Sequence, residues 1–261
     1  MIEICALASG SNGNCYYVGD ENVAVLVDCG ISRRLLLERM GERGLKIERV
    51  KAIFITHEHK DHIQGVKAVA DKHQIPAYMT HETLMGVRSE HRPHIYTLIE
   101  NEEFIEVGGF KVYPVQKQHD ARNPRSFRVE RDGFNVGVFT DIGAPCNNVV
   151  SHVLACDFLF LESNYEDALL QAGRYPEFLK SRVASDFGHL SNHQSRELVD
   201  KCDVNKLKVL YLAHISEDNN SSELVMKKFE DLQDRIDVRL TNRYTASEVY
   251  RIDLSPLLPN I

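Results

Sequence analysis

Short apolar runs, rich in β-branched and aromatic residues, recur along the chain, and several stop at one polar residue able to bind metal or carry a proton. The runs 23–27, 52–56, 134–140, 158–161 and 207–213 stop at Asp28, His57, Asp141, Glu162 and His214. The run 110–115 is followed, after a short polar stretch, by His119. Runs of this length and composition predict buried strands. Between them, apolar residues at helical spacing predict helices over 32–43, 62–73, 176–184, 191–202 and 221–236. Ser191 with Gln194, and Asn220 with Glu223, have capping-box spacing. Residues 83–94 are weakly periodic and read as a loop over a site or as a solvated surface. There is no internal repeat or linker, so the pattern predicts a single α/β domain through 1–261.

Strands that end along one sheet edge gather their terminal side chains there, where ligands bind in α/β folds. One polar strand end is ordinarily a turn residue; several of them beside His57-Glu58-His59-Lys60-Asp61-His62 point to a site. In an extended loop His57 and His59 face the same side, because side-chain direction repeats every two residues. Asp61 and His62 begin a helix, diverge, and reach toward a second ion beside the first. Imidazole and carboxylate donors without thiolate suit zinc, manganese or iron.

His57-x-His59-x-Asp61-His62, followed by His119, Asp141 and His214, resembles the ligand set of the metallo-β-lactamase-fold hydrolases, in that family's order. The resemblance runs from the first strand to the last ligand. It implies a four-layer αβ/βα sandwich with two divalent metal ions at one edge of its two sheets. His57, His59 and His119 would hold the first ion, Asp61, His62 and His214 the second, with Asp141 between them. Asp28 matches an early strand-end aspartate that supports the site from behind. His59 is not replaced by glutamate, unlike the diiron electron-transfer relatives. The chain shows neither a β-CASP insertion nor the long arm of tRNase Z enzymes.

Gly188-His189-Leu190-Ser191-Asn192 places a histidine before a capped helix, whose free N–H groups form a natural phosphate seat. In nuclease branches of the family a histidine loop here meets the scissile phosphate, oriented by an acidic strand end that Glu162 matches. The N-terminal segment Ala8-Ser-Gly-Ser-Asn-Gly-Asn-Cys15 reads equally well as an ordinary hairpin turn. Together these two segments resemble the YycJ/WalJ group of bacterial proteins, which implies 5′-to-3′ exonuclease activity on DNA. The substrate contacts so implied are Ser11, Asn12, Ser191 and Asn192. The catalytic residues are Asp61, which like Asp141 could hydrogen-bond the attacking water, and His189, which is held by Glu162 and serves the leaving oxygen.

Composition changes the picture at two points. The net charge of −7 runs against the positive field usual for nucleic-acid binding. A local patch of Arg122, Arg125, Arg128 and Arg131, joined by Arg88 and Arg92, would have to compensate. No apolar stretch approaches the roughly 18 residues of a membrane span. Glu3 stands where a signal peptide carries basic residues, and the six cysteines include no Cys-x-x-Cys. Both features fit a cytoplasmic protein with reduced thiols. A thioesterase of the glyoxalase II kind and a metal-binding regulatory protein without turnover stay open as alternatives.

Overall fold

The structure is a computed structural model that describes residues 1–100 and 103–254. The first sheet contains β1 (Ile2–Ala8), β2 (Cys15–Gly19), β3 (Ala24–Val27), β4 (Val50–Phe54), β5 (Ala77–Met79) and β6 (Tyr96–Leu98). The second contains β7 (Ile105–Val107), β8 (Phe110–Gln116), β9 (Arg125–Arg131), β10 (Phe134–Phe139), β11 (Phe158–Glu162), β12 (Val209–Ala213) and β13 (Asp237–Leu240). The chain then returns to the first sheet as β14 (Tyr250–Ile252), paired antiparallel with β1. Within the sheets the strand orders are β14-β1-β2-β3-β4-β5-β6 and β13-β12-β11-β10-β9-β8-β7.

Period-two alternation explains how the sheets stack. Ile2, Ile4 and Ala6 face one way and Cys5 and Leu7 the other, so both faces of β1 are apolar and both are covered. The inner faces meet in one core, where Tyr16 lies 4.9 Å from Phe160 and Phe54 lies 5.4 Å from Phe127, centroid to centroid. Against the outer face of the first sheet pack α1 (Arg33–Glu42), α3 (Val66–His73) and α4 (His81–Gly86), with the short α2 (Lys60–Ile63) leading into α3. The outer face of the second sheet carries α5 (Asn147–Leu154), α8 (Asn192–Val199) and α9 (Ser222–Lys228). Two further helices, α6 (Asp167–Ala172) and α7 (Glu177–Val183), follow β11. The result is the four-layer αβ/βα sandwich. Among the described residues no helix is long and apolar enough to cross a membrane.

The predicted helices are present with shifted limits. The 62–73 helix divides at Gln64–Gly65, where the chain passes so close to Ile31 that a Cβ on Gly65 would meet its carbonyl at 2.0 Å. The weakly periodic 83–94 segment begins inside α4, capped by Thr80, and continues as irregular chain. The 221–236 helix ends at Lys228, with a 3₁₀ turn over Glu230–Leu232. Its cap is Ser221, not Asn220, whose amide is consumed by buried bonds to the Ser163 and Asn164 carbonyls.

Strands β3 and β4 run parallel, as do β10, β11 and β12, so their carboxyl ends share one edge of the sandwich. Asp28, Asp141 and His214, each just past a strand end, have φ of 60°, 54° and 53°. Non-glycine residues in this left-handed region cost energy and concentrate at functional sites. Here the reversal turns each side chain off its strand axis.

Candidate metal centre

The loop after β4 brings its histidines together as the alternation predicts. His57 Nε2 and His59 Nδ1 approach to 3.0 Å, and the His119 ring lies 4.9 Å from that of His57. The donor atoms of His57, His59 and His119 lie within 4.8 Å of one another. A second group adjoins them: His62 Nε2 lies 3.4 Å from Asp61 Oδ2, and His214 Nε2 lies 3.8 Å from the same oxygen. Asp141 sits between the groups, with Oδ2 3.2 Å from His62 Nε2 and Oδ1 3.7 Å from His214 Nε2. Gly30 makes this turn possible, since a Cβ there would meet the Asp61 carbonyl at 1.6 Å.

The imidazoles are fixed from behind. His62 Nδ1–H donates to Asp28 Oδ2 at 2.7 Å, and Asp28 also accepts from the N–H and hydroxyl of Thr56. His119 Nδ1–H donates to the Gly188 carbonyl at 3.0 Å, and His214 Nδ1–H to Glu162 Oε1 at 3.1 Å. Outer partners of this kind fix the tautomer and ring orientation of metal-binding histidines. His119 Nε2, His214 Nε2 and Asp141 Oδ2 are buried and make no hydrogen bond. Buried polar atoms are ordinarily satisfied. Buried polar atoms without a hydrogen bond, gathered together and each on a braced side chain, are what a divalent cation requires, and the donor set therefore fits such ions.

Electrostatics separates the two halves. Burial drives the His57 imidazole well below its usual range, and His62 and Lys117 add to the effect. Burial likewise lowers His119, to about 4. Both rings are thus neutral and ready to ligate. Burial also opposes charge on His62, yet Asp141, Asp28 and Asp61 raise it well above normal. His214 rises to about 10 against the same opposition, through Asp141, Asp61 and Glu162. Burial disfavours the Asp141 carboxylate, but His214 and His62 hold it well below the carboxylate range. A cation bound against Asp61 and Asp141 would replace these imidazole protons, because a ligating imidazole is neutral.

The family profile described as "Metallo-beta-lactamase superfamily" matches residues 8–214. The chain belongs to the metallo-beta-lactamase superfamily. Members of this superfamily are metal-dependent hydrolases. Exodeoxyribonuclease WalJ of Streptococcus pneumoniae is 33% identical over 228 residues, covering 84% of this chain and 83% of that protein. Exodeoxyribonuclease YycJ of Bacillus anthracis is 32% identical over 231 residues, 85% of this chain and 86% of that protein. Among solved structures, the metallo-beta-lactamase fold protein YhfI of Bacillus subtilis superposes with a TM-score of 0.69 at 13% identity. That match covers 94% of this chain and 98% of YhfI.

Beside the donor set opens a cavity of about 220 Å³, lined by Asp61, His119, Asp141, His189 and His214 from the sheet edge. Tyr175, Leu179, Arg182 and Val183 close its other side. His189 Nδ1–H donates to Glu162 Oε1 at 2.8 Å, so Nε2 is left for the cavity. Glu162 is fully buried, and its Oε2 accepts from the N–H groups of Ile142 and Leu190. Burial would raise this carboxyl, but His189 and His214 hold it down to about 2.

The expected substrate contacts divide. Ser11 lines the cavity, whereas Asn12 is exposed and outside its lining. The neighbours that matter in that loop are Ser9, whose Oγ accepts from the His214 N–H at 2.9 Å, and Asn14, whose Nδ2 donates to Asp61 Oδ2 at 3.3 Å. Ser191 and Asn192 are buried and do not line the cavity. Ser191 forms the capping box with Gln194, and the Asn192 N–H donates to the Tyr165 carbonyl. The N–H groups of Ser191, Asn192 and Gln194 at the start of α8 are thus satisfied internally. The arginine patch also disperses. Arg128 lies over the Tyr113 ring and Arg131 pairs with Asp20, both on β9 away from the cavity. Lys117 was not foreseen: it is buried, and its Nζ donates to the Thr140 carbonyl at 2.7 Å, just before Asp141. Only its place two residues before His119 could have flagged it.

The Asn192 amide bonds Ser163, Glu166 and Asn220 together. Asn192→Ala is therefore expected to destabilise the fold by about 1–3 kcal/mol, the cost of leaving buried polar partners unpaired. Urea unfolding would report it, with hydrolysis of a small phosphodiester unchanged. Wild-type stability together with lost hydrolysis would return Asn192 to the substrate site.

Proposed function

We propose that this protein is a phosphodiesterase that uses two divalent metal ions, zinc, manganese or iron, and removes nucleotides from the 5′ end of DNA. His57, His59 and His119 would hold one ion, Asp61, His62 and His214 the other, and Asp141 both. Bound there, the ions supply Lewis acidity, lowering the pKa of a water and neutralising charge on a phosphoryl oxygen. The chain's own residues do the rest. Asp61, ionised and on the cavity wall, accepts a hydrogen bond from the attacking water and orients it, and the proton lost by that water passes to solvent. As the bond from phosphorus to the leaving oxygen breaks, His189 Nε2 gives that oxygen a proton, while Glu162 keeps the ring in place.

One observation carries this reading: His189, held by the buried Glu162 at 2.8 Å, lines the cavity beside the donor set. A thioester's thiolate leaving group needs no such proton donor, whereas a phosphodiester's alkoxide does. The names of the two relatives point to the same substrate class. Turnover of 5′-labelled and 3′-labelled DNA with added manganese or zinc is expected to release mononucleotide from the 5′ end. Faster hydrolysis of a glutathione thioester, with DNA left intact, would refute the assignment.

A further inference from the structure

The cavity is smaller than the roughly 300–1,000 Å³ that encloses a whole drug-sized ligand, so most of any polymeric substrate lies outside it, across the rim. On that rim stands Arg182, which lines the cavity and pairs with Asp120 through Nε at 2.6 Å and through a terminal nitrogen at 2.5 Å. Phe178 precedes Arg182 by one turn on the same edge of α7 and is 75% exposed. Phe187 is 55% exposed, and its carbonyl accepts from the Asp120 N–H at 3.0 Å. Asp120 therefore ties both elements together: its carboxylate holds Arg182, four residues after Phe178, and its N–H holds the Phe187 carbonyl, so each of the two elements joined at this rim carries an exposed phenyl ring. Neither ring stacks on another aromatic among the described residues. Singly exposed phenyl groups are unremarkable; two of them on elements that Asp120 joins to the Arg182 side of the cavity are placed to act together.

We infer that Phe178 and Phe187 are base-stacking positions, and that the strand leaving the cavity is single-stranded. This rests on the phosphodiesterase reading and names its substrate more closely. Only unpaired bases offer free faces to a phenyl ring, whereas a duplex presents phosphates and groove edges. Aromatic stacking with a nearby arginine is the means by which proteins hold single strands irrespective of sequence. It also answers the charge problem. A chain of net charge −7 gains little from counterion release, but stacking needs no positive field.

The test measures binding and turnover separately on the metal-loaded protein. Anisotropy of a labelled single-stranded oligothymidylate reads binding, and bis(p-nitrophenyl) phosphate reads the cavity chemistry alone. Phe178→Ala and Phe187→Ala are each expected to weaken oligonucleotide binding roughly five- to hundredfold. Phe178→Tyr should restore it, and hydrolysis of the small ester should stay at the wild-type rate. Unchanged binding in the double alanine variant would overturn the inference. So would an equal loss for a blunt duplex, or a wild-type dimer that the alanines dissociate, which would make the patch a self-association face. If the wild type fails to hydrolyse the ester, the phosphodiesterase reading falls, while the binding arm still decides the platform.

Discussion

Asp141→Ala is expected to release bound metal from both halves of the site, with an affinity loss of at least about a hundredfold. Substituting a partner that merely braces a ligand costs 10–100-fold, and Asp141 is placed to be a ligand itself. It is 2% exposed at the end of β10, and its donors belong both to the group with His57 and His62 and to the group with His189 and His214. A carboxylate between two cations also offsets their mutual repulsion, so its loss is expected to weaken the hold on both. Elemental analysis after gel filtration would measure the loss, and far-ultraviolet circular dichroism would show that the sandwich persists. The core between the sheets makes no use of this side chain. Two ions retained at full occupancy would remove Asp141 from its place between them.

The strand ends carried much of this legibility. Asp28, His57, Asp141, Glu162 and His214 each follow or close a β-rich run, and parallel pairing brings them to one edge because carboxyl ends of parallel strands lie together. Periodicity also predicted the Ser191 capping box, which depends only on neighbours in sequence. What stayed hidden depends on contacts far apart in the chain. Asn14 reaches Asp61 across 47 positions, and Lys117 meets the Thr140 carbonyl across 23. Nothing local distinguishes them from other polar residues. The same limit explains why Ser191 and Asn192 lie away from the cavity lining. Sequence shows that Ser191 begins a helix with Gln194 as its capping-box partner, but not that the Tyr165 carbonyl already accepts from the Asn192 N–H. Arg128 and Arg131 alternate along β9, and a count of arginines could not tell that they face Tyr113 and Asp20.

His189→Ala and Glu162→Gln are expected to fail in different ways, and the difference tests the proposed chemistry. The alanine variant should keep its metal, since the donors of the two triads and Asp141 are intact without His189. Its phosphodiester turnover should fall by roughly the 10²–10⁴-fold typical of a general acid or base, with little change in KM. Glu162 has a wider role. Oε1 accepts from both His189 and His214, and Oε2 from the N–H groups of Ile142 and Leu190. An amide in its place must turn an NH₂ toward one of these pairs of donors, leaving them unsatisfied at about 1–3 kcal/mol. Glu162→Gln is therefore expected to lower metal affinity through His214 as well as turnover through His189, and to melt earlier. A leaving group that needs no proton distinguishes catalysis from scaffolding. With a p-nitrophenyl ester the His189→Ala deficit should shrink, while that of Glu162→Gln should persist because the metal is loosened. If both variants hydrolyse DNA at the wild-type rate, His189 and Glu162 only hold the loop before α8 in place.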